Sequence, residues 1–198
     1  MKRALISVYD KRGVVQLARE LVSLGWEIIS TGGTGKILRN EDIPFRDIKE
    51  ITNFPEIFDG RVKTLHPHIH GGLLYKRDEE EHKRILKKLD IGSIDLVVNN
   101  LYPFEDTIKK EGISHEEVIE NIDIGGPAMI RAAAKNYKYV TVVIDPSDYD
   151  RVLKELRTRG ETSLDLRREL ARKVFQYTAY YDSLIANYFN RLDNVEFP

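Results

Sequence analysis

Trp26-Glu27-Ile28-Ile29-Ser30-Thr31-Gly32-Gly33-Thr34-Gly35 passes directly from a compact apolar run into a glycine-rich turn, and this stretch decides the fold. Its first half reads as a strand, with Ile28 and Ile29 at its centre. Upstream, Ala4-Leu5-Ile6-Ser7-Val8 is another such run, followed by Val14, Leu17, Ala18, Leu21 and Leu24 at spacings of three or four. That spacing builds the apolar face of a helix, and Gly25 stands where a helix end takes a left-handed residue. Downstream, Leu96-Val97-Val98-Asn99 and Val140-Thr141-Val142-Val143-Ile144 are further apolar runs of buried-strand length. Strands alternating with helices predict an α/β fold, a mostly parallel sheet flanked by helices.

With 198 residues, one core is the simplest arrangement. A formal net charge of −1 argues against a nucleic-acid or membrane-surface partner. The chain has no cysteine, which excludes a disulfide framework, a cysteine zinc site and a thiol nucleophile. Met1 to Ser7 lack a signal-peptide hydrophobic region, and no apolar run approaches the ~18 residues that suggest a membrane span, so a cytoplasmic location is expected.

Residues 1–146 are expected to form a nucleotide-binding catalytic core, and 147–198 a helical C-terminal extension packed on it. The extension divides at Gly160 and continues as an amphipathic stretch from about Ser163 to Leu192. Its Phe175, Tyr177, Tyr180, Tyr181, Tyr188 and Phe189 are expected to pack on the sheet or on a second copy of the chain. Ser114 with Glu117 makes a capping-box pattern, and Pro127 suits the first position of the next helix.

Several segments could carry chemistry. Thr31 to Gly35, between strand and helix, offers bare N–H groups and hydroxyls to a phosphate, or is a plain tight turn. The nucleoside-triphosphate loop pattern fails at Ser30 and Ile37, and the dinucleotide pattern fails at Leu38. Lys11 could add a cation to the same anion site or be solvated. Gly60-Arg61-Val62-Lys63-Thr64-Leu65-His66-Pro67 is a polar loop in which Arg61 suits bidentate contact to phosphate and Lys63 suits an oxyanion or proton transfer. His66, His68 and His70 would share one side of an extended chain, a weak case for a metal. Asn100 and Tyr102 follow a buried strand, at the end where ligands bind. Asp123, ahead of Gly125-Gly126-Pro127, is a candidate carboxylate at a second positive helix start, or only a helix-start acid.

Taken together, Ser7-Val8-Tyr9-Asp10-Lys11, Thr31-Gly32-Gly33-Thr34, Gly60 to Pro67, Asn100-Leu101-Tyr102-Pro103-Phe104, Ile122 to Gly126 and Arg131 to Asn136 resemble the IMP cyclohydrolase domain of the bifunctional enzyme that also carries AICAR transformylase activity. The resemblance implies a methylglyoxal-synthase-like α/β fold, dehydrative closure of formyl-AICAR to IMP, a purine-nucleotide ligand, a homodimer, and neither metal nor cofactor. It implies a catalytic set of Lys63, Tyr102, Asp123 and Lys135. The implied substrate-binding set is Ser7, Lys11, Thr31, Gly32, Gly33, Thr34, Arg61, Thr64, Asn100, Ile124, Gly125 and Gly126. The family pattern calls for His66 and His70 but not His68, which weakens the metal reading. The transformylase domain that normally follows is absent from this sequence, so formyl transfer is not expected of it. Methylglyoxal synthase and a nucleotide-sensing regulatory module share the fold and are the alternatives. A tension accompanies Lys135: an unbroken helix from Pro127 would carry it about 12 Å from its N-terminal pocket.

Overall fold

The computed structural model describes residues 1–193. Its elements are β1 (Arg3–Ile6), α1 (Val14–Ser23), β2 (Glu27–Ser30), α2 (Gly32–Asn40), β3 (Arg46–Asp47), α3 (Ile48–Thr52), α4 (Pro67–Leu74) and α5 (Glu80–Lys88). They continue with β4 (Leu96–Val98), α6 (Phe104–Ile108), α7 (His115–Glu120), α8 (Gly125–Lys135), β5 (Thr141–Val143), α9 (Tyr149–Arg159) and α10 (Leu164–Asp193). Residues 194–198 of the expected extension lie outside the described residues.

The strands form one five-stranded sheet in the order β3-β2-β1-β4-β5, and every pair is parallel. Side chains alternate across it. Ala4, Ile6, Ile28, Leu96, Val98 and Val143 face a core shared with α1 and α9. Leu5, Ile29, Val97 and Val142 face a second core shared with α4 and α8. Both faces are covered, which is why these strands read as unbroken apolar runs. Each fully buried aliphatic side chain contributes about 1.5–3 kcal/mol.

Chain direction explains where a ligand can enter. From β1 the chain winds outward through β2 to β3, then crosses to β4 and β5 on the other side of β1. The loops leaving β1 and β4 therefore diverge, opening a crevice at the strands' C-terminal ends.

α10 straddles both cores: Leu166 and Leu170 join the first, whereas Ala171, Val174 and Tyr181 join the second. Its aromatic residues divide. Tyr181 is buried and Tyr177 and Tyr188 are half-buried, but Phe175, Tyr180 and Phe189 remain exposed. The Ser114–Glu117 capping box forms as expected. The start of α8 differs: it begins at Gly125, so Pro127 is its third residue and not its first. A proline fits there because first-turn N–H groups have no partner within the helix. Among the described residues, no helix is long and apolar enough to cross a membrane.

Candidate active site

A cleft of about 640 Å³ opens at the crevice, lined by Ser7, Val8 and Lys11 after β1, by Thr31 to Thr34 at the start of α2, and by Asn99 after β4. Asp59 to Arg61, Lys63, Thr64, Glu120 and the Ile122 to Gly126 turn into α8 also line it.

The glycine turn is the first turn of α2, capped by extended Thr31. The first intrahelical bond there is Gly35 N–H to the Thr31 carbonyl, so the amides of Gly32, Gly33 and Thr34 precede the helical ladder. Together with the helix dipole they make an anion seat. Lys11 closes it, with its ammonium on the Val8 carbonyl and 3.0 Å from Thr34 Oγ1. Burial lowers the Lys11 pKa. The Thr34 hydroxyl is committed to the fold, accepting from the Val8 N–H at 3.0 Å and donating to the Val8 carbonyl at 3.1 Å. Its contribution to a ligand is the backbone amide.

Arg61 and Lys63 enter on a loop in which Phe58, Asp59 and Gly60 have consecutive positive φ values of 53°, 53° and 92°. Left-handed backbone at two non-glycine residues costs about 1–2 kcal/mol each, and such strain clusters at functional sites. Arg61 is paired with Glu120, and Lys63 Nζ lies 2.9 Å from Glu56 Oε1. Both cations therefore stand in the cleft with their charge balanced by exposed carboxylates that an anionic ligand can displace.

Asp123 lines the same cleft as this anion seat. Its Oδ1 accepts the Gly126 N–H at 2.8 Å. Burial raises its pKa, and the Gly126 bond offsets part of that rise. The Gly126 amide is held by Asp123, whereas Gly125, at the first position of α8, has no partner within the helix for its N–H. A Cβ at Gly126 would lie 2.8 Å from Leu101 Cδ2 and nearer still to the Asp123 carboxylate, so one of these side chains would have to move. Gly126→Ala should therefore expel that carboxylate, lowering kcat at least about 100-fold; near-normal turnover would show that Asp123 need not sit there.

Not every expected residue reaches the cleft. Asn100 is a brace: its Oδ1 accepts from the N–H groups of Tyr9 and Asp10 at 2.6 and 2.7 Å, tying the β1 and β4 loops together. It lines a second opening, with Tyr9 and Tyr177. Tyr102 packs edge-on against Tyr9, ring centroids 4.7 Å apart, and is not in the cleft wall. Lys135 is exposed at the last position of the unbroken α8, about 15 Å along its axis from Gly125. The remaining binding candidates, Ser7, Thr31, Gly32, Gly33, Thr64 and Ile124, all line the cleft.

Among the lining residues that the sequence reading did not single out, Asn99 stands apart. Asn99 is 5% exposed, donates to the Ser7 carbonyl at 2.6 Å, and leaves its Oδ1 without a partner. A buried orphan acceptor in a cleft wall invites a ligand N–H or O–H. The histidines also differ from expectation, because the chain there is helical and not extended. His66 caps α4, accepting the His68 N–H through Nδ1. His68 Nδ1 meets the Ile51 carbonyl and His70 Nδ1 the His66 carbonyl. Among the described residues, no three metal-ligating side chains converge.

Comparison with known proteins adds to this geometry. The MGS-like domain family matches residues 13–128, and the AICARFT/IMPCHase bienzyme family matches residues 133–198. A bifunctional purine biosynthesis protein PurH of Caldicellulosiruptor saccharolyticus is 60% identical over 188 residues, covering 95% of this chain and 37% of that protein. Its namesake in a Thermoanaerobacter species is 58% identical over 197 residues, covering all of this chain and 39% of that protein. The chain thus spans less than two fifths of the length of these relatives. A solved structure, that of ForH, superposes with a TM-score of 0.84 at 36% identity, covering 95% of this chain and 98% of that one.

Proposed function

The chain belongs to the MGS-like domain family, and on that premise we propose that it closes formyl-AICAR to IMP with loss of water. The observation that carries this reading is the half-buried Asp123 carboxylate in one cleft with the anion seat at the start of α2. The seat suits the ribose phosphate, and a cleft of about 640 Å³ leaves room for the nucleoside. The match of the last third of the chain to the bienzyme family favours ring closure over phosphate elimination.

In this reading the substrate's carboxamide nitrogen attacks the formyl carbon, so a C–N bond forms and the formyl oxygen takes the negative charge. Holding the reacting conformer supplies much of the acceleration. Asp123 accepts a proton from the attacking nitrogen, and the Gly125 amide and a lysine stabilise the oxyanion. A lysine ammonium protonates that oxygen to a hydroxyl, the proton held by Asp123 is passed to it so that it departs as water, and the formamido nitrogen gives its proton back to the lysine as the C=N between it and the former formyl carbon forms. Lys63, 2.9 Å from Glu56, lies in the cleft for this step. Formyl transfer lies outside this segment, and the chain works in the cytoplasm.

Lys135 stands exposed at the far end of α8 and does not line the cleft of its own chain. We assign it, with Tyr102, to the cleft of a second copy, so that the working unit is a homodimer with shared sites. The surface around Lys135 suits a protein contact: Arg131, one turn earlier, lies over the 42%-exposed Phe175 at 5.6 Å from its ring centroid.

Synthetic formyl-AICAR added to the purified chain without folate, in the presence of EDTA, should give the hypoxanthine absorbance at a catalysed rate. Tight nucleotide binding without turnover would favour a sensor module instead.

A further inference from the structure

Asp123 is anchored from two sides. Its carboxylate is tied forward to Gly126, within the span of the MGS-like match. Its backbone N–H is tied elsewhere, donating at 2.9 Å to the phenol oxygen of Tyr181, 58 residues later on α10. Tyr181 is 3% exposed and leans edge-on against Phe104, ring centroids 6.1 Å apart. Burial pushes its hydroxyl up to about 12, so it stays neutral at working pH and accepts the amide hydrogen without placing a second anion beside the carboxylate. α10 lies beyond the MGS-like match and inside the bienzyme match, so the anchor comes from the part of the chain outside the shared fold.

We propose that Tyr181 is a positioning residue for Asp123: it fixes the peptide between α7 and α8 and so sets the direction from which the carboxylate meets the substrate's carboxamide. This rests on the ring-closure reading. The physical ground is leverage. A carboxylate on a short turn is aimed by its backbone, and with Gly126 holding only the side chain, loss of the Tyr181 bond leaves the Asp123 N–H without its anchor. Misplacement of about 1 Å costs on the order of 100-fold in rate.

The test is Tyr181→Phe, which keeps the ring and removes the acceptor. With formyl-AICAR, kcat should fall about 10- to 100-fold while KM stays within about twofold, since only the reacting geometry is disturbed. Val174→Ala is the control for stability alone: on the same helix and 0% exposed, it should lower the unfolding temperature and leave kcat near that of the wild type. Phe104→Leu is a second variant in case Tyr181→Phe does not fold; it keeps the hydroxyl but loosens the ring behind it, and should lower kcat several-fold at unchanged KM. Wild-type kcat in Tyr181→Phe, or in Phe104→Leu where the former does not fold, overturns the proposal. So does a loss in Val174→Ala as large as that in Tyr181→Phe. A wild-type chain that binds nucleotide without turnover removes the ring-closure reading itself, and this assignment with it.

Discussion

Asp123→Asn should abolish ring closure, with kcat down about 1,000-fold, while the protein is at least as stable as the wild type at pH 7. Burial raises the Asp123 pKa in the folded state, so the folded protein binds that proton more tightly than the unfolded chain does. The sign follows from linkage: the carboxyl favours folding at pH values below its unfolded pKa, and this contribution is lost as pH rises through the folded pKa. At pH 7 the ionised group is therefore a net cost that asparagine removes, while the amide oxygen can still accept the Gly126 N–H. The same shift places the acid limb of kcat/KM above the ordinary aspartate value of 3.8, because the base must be ionised and activity falls as pH drops through its pKa. Equilibrium unfolding and turnover measured on both proteins decide the matter. An asparagine variant that loses stability but keeps activity would make Asp123 a structural cap and nothing more.

The layered sheet was legible because its signals are local. Apolar runs at 4–8, 26–30, 96–99 and 140–144 each became a parallel strand, and the three-and-four spacing at Val14 to Leu21 became α1. The anion seat was legible for the same reason, since Thr31 to Gly35 carries its own turn chemistry. The histidine alternation misled although contrary signals were present: Pro67 stands at a first helical position and His66 at the cap before it. Asn99 and Asn100 show a finer limit. Neighbouring residues at a strand's end point to opposite sides, and only the path of the β1 loop decides which one braces it and which one faces the cleft. The Tyr181–Asp123 bond has no local signal at all, because a contact across 58 residues depends on how α10 lies against the sheet.

Two inactive variants should restore each other. Asp123→Ala and Lys135→Ala, each about 1,000-fold down in kcat alone, should recover up to roughly a quarter of wild-type activity when mixed under conditions that exchange subunits. In a symmetric dimer with shared sites, a mixed pair holds one cleft lacking both groups and one cleft with both intact. Random exchange makes about half of the dimers mixed, and each has one working cleft of two. The expectation follows from α8 itself, whose two ends carry the two groups: Gly126 at its start holds Asp123 inside the cleft, and Lys135 at its end stands exposed on the outer surface. The helix sets its two ends about 15 Å apart along its axis, which argues against their meeting at one reacting centre within a single chain. Were Lys135 to act on its own chain's cleft, a mixed dimer would carry one defect in each site, and mixing would restore nothing. Were Lys135 outside the chemistry altogether, Lys135→Ala would be active before any mixing. The three outcomes differ in sign, not in degree, so the experiment assigns Lys135 to a neighbour's cleft, to its own, or to neither.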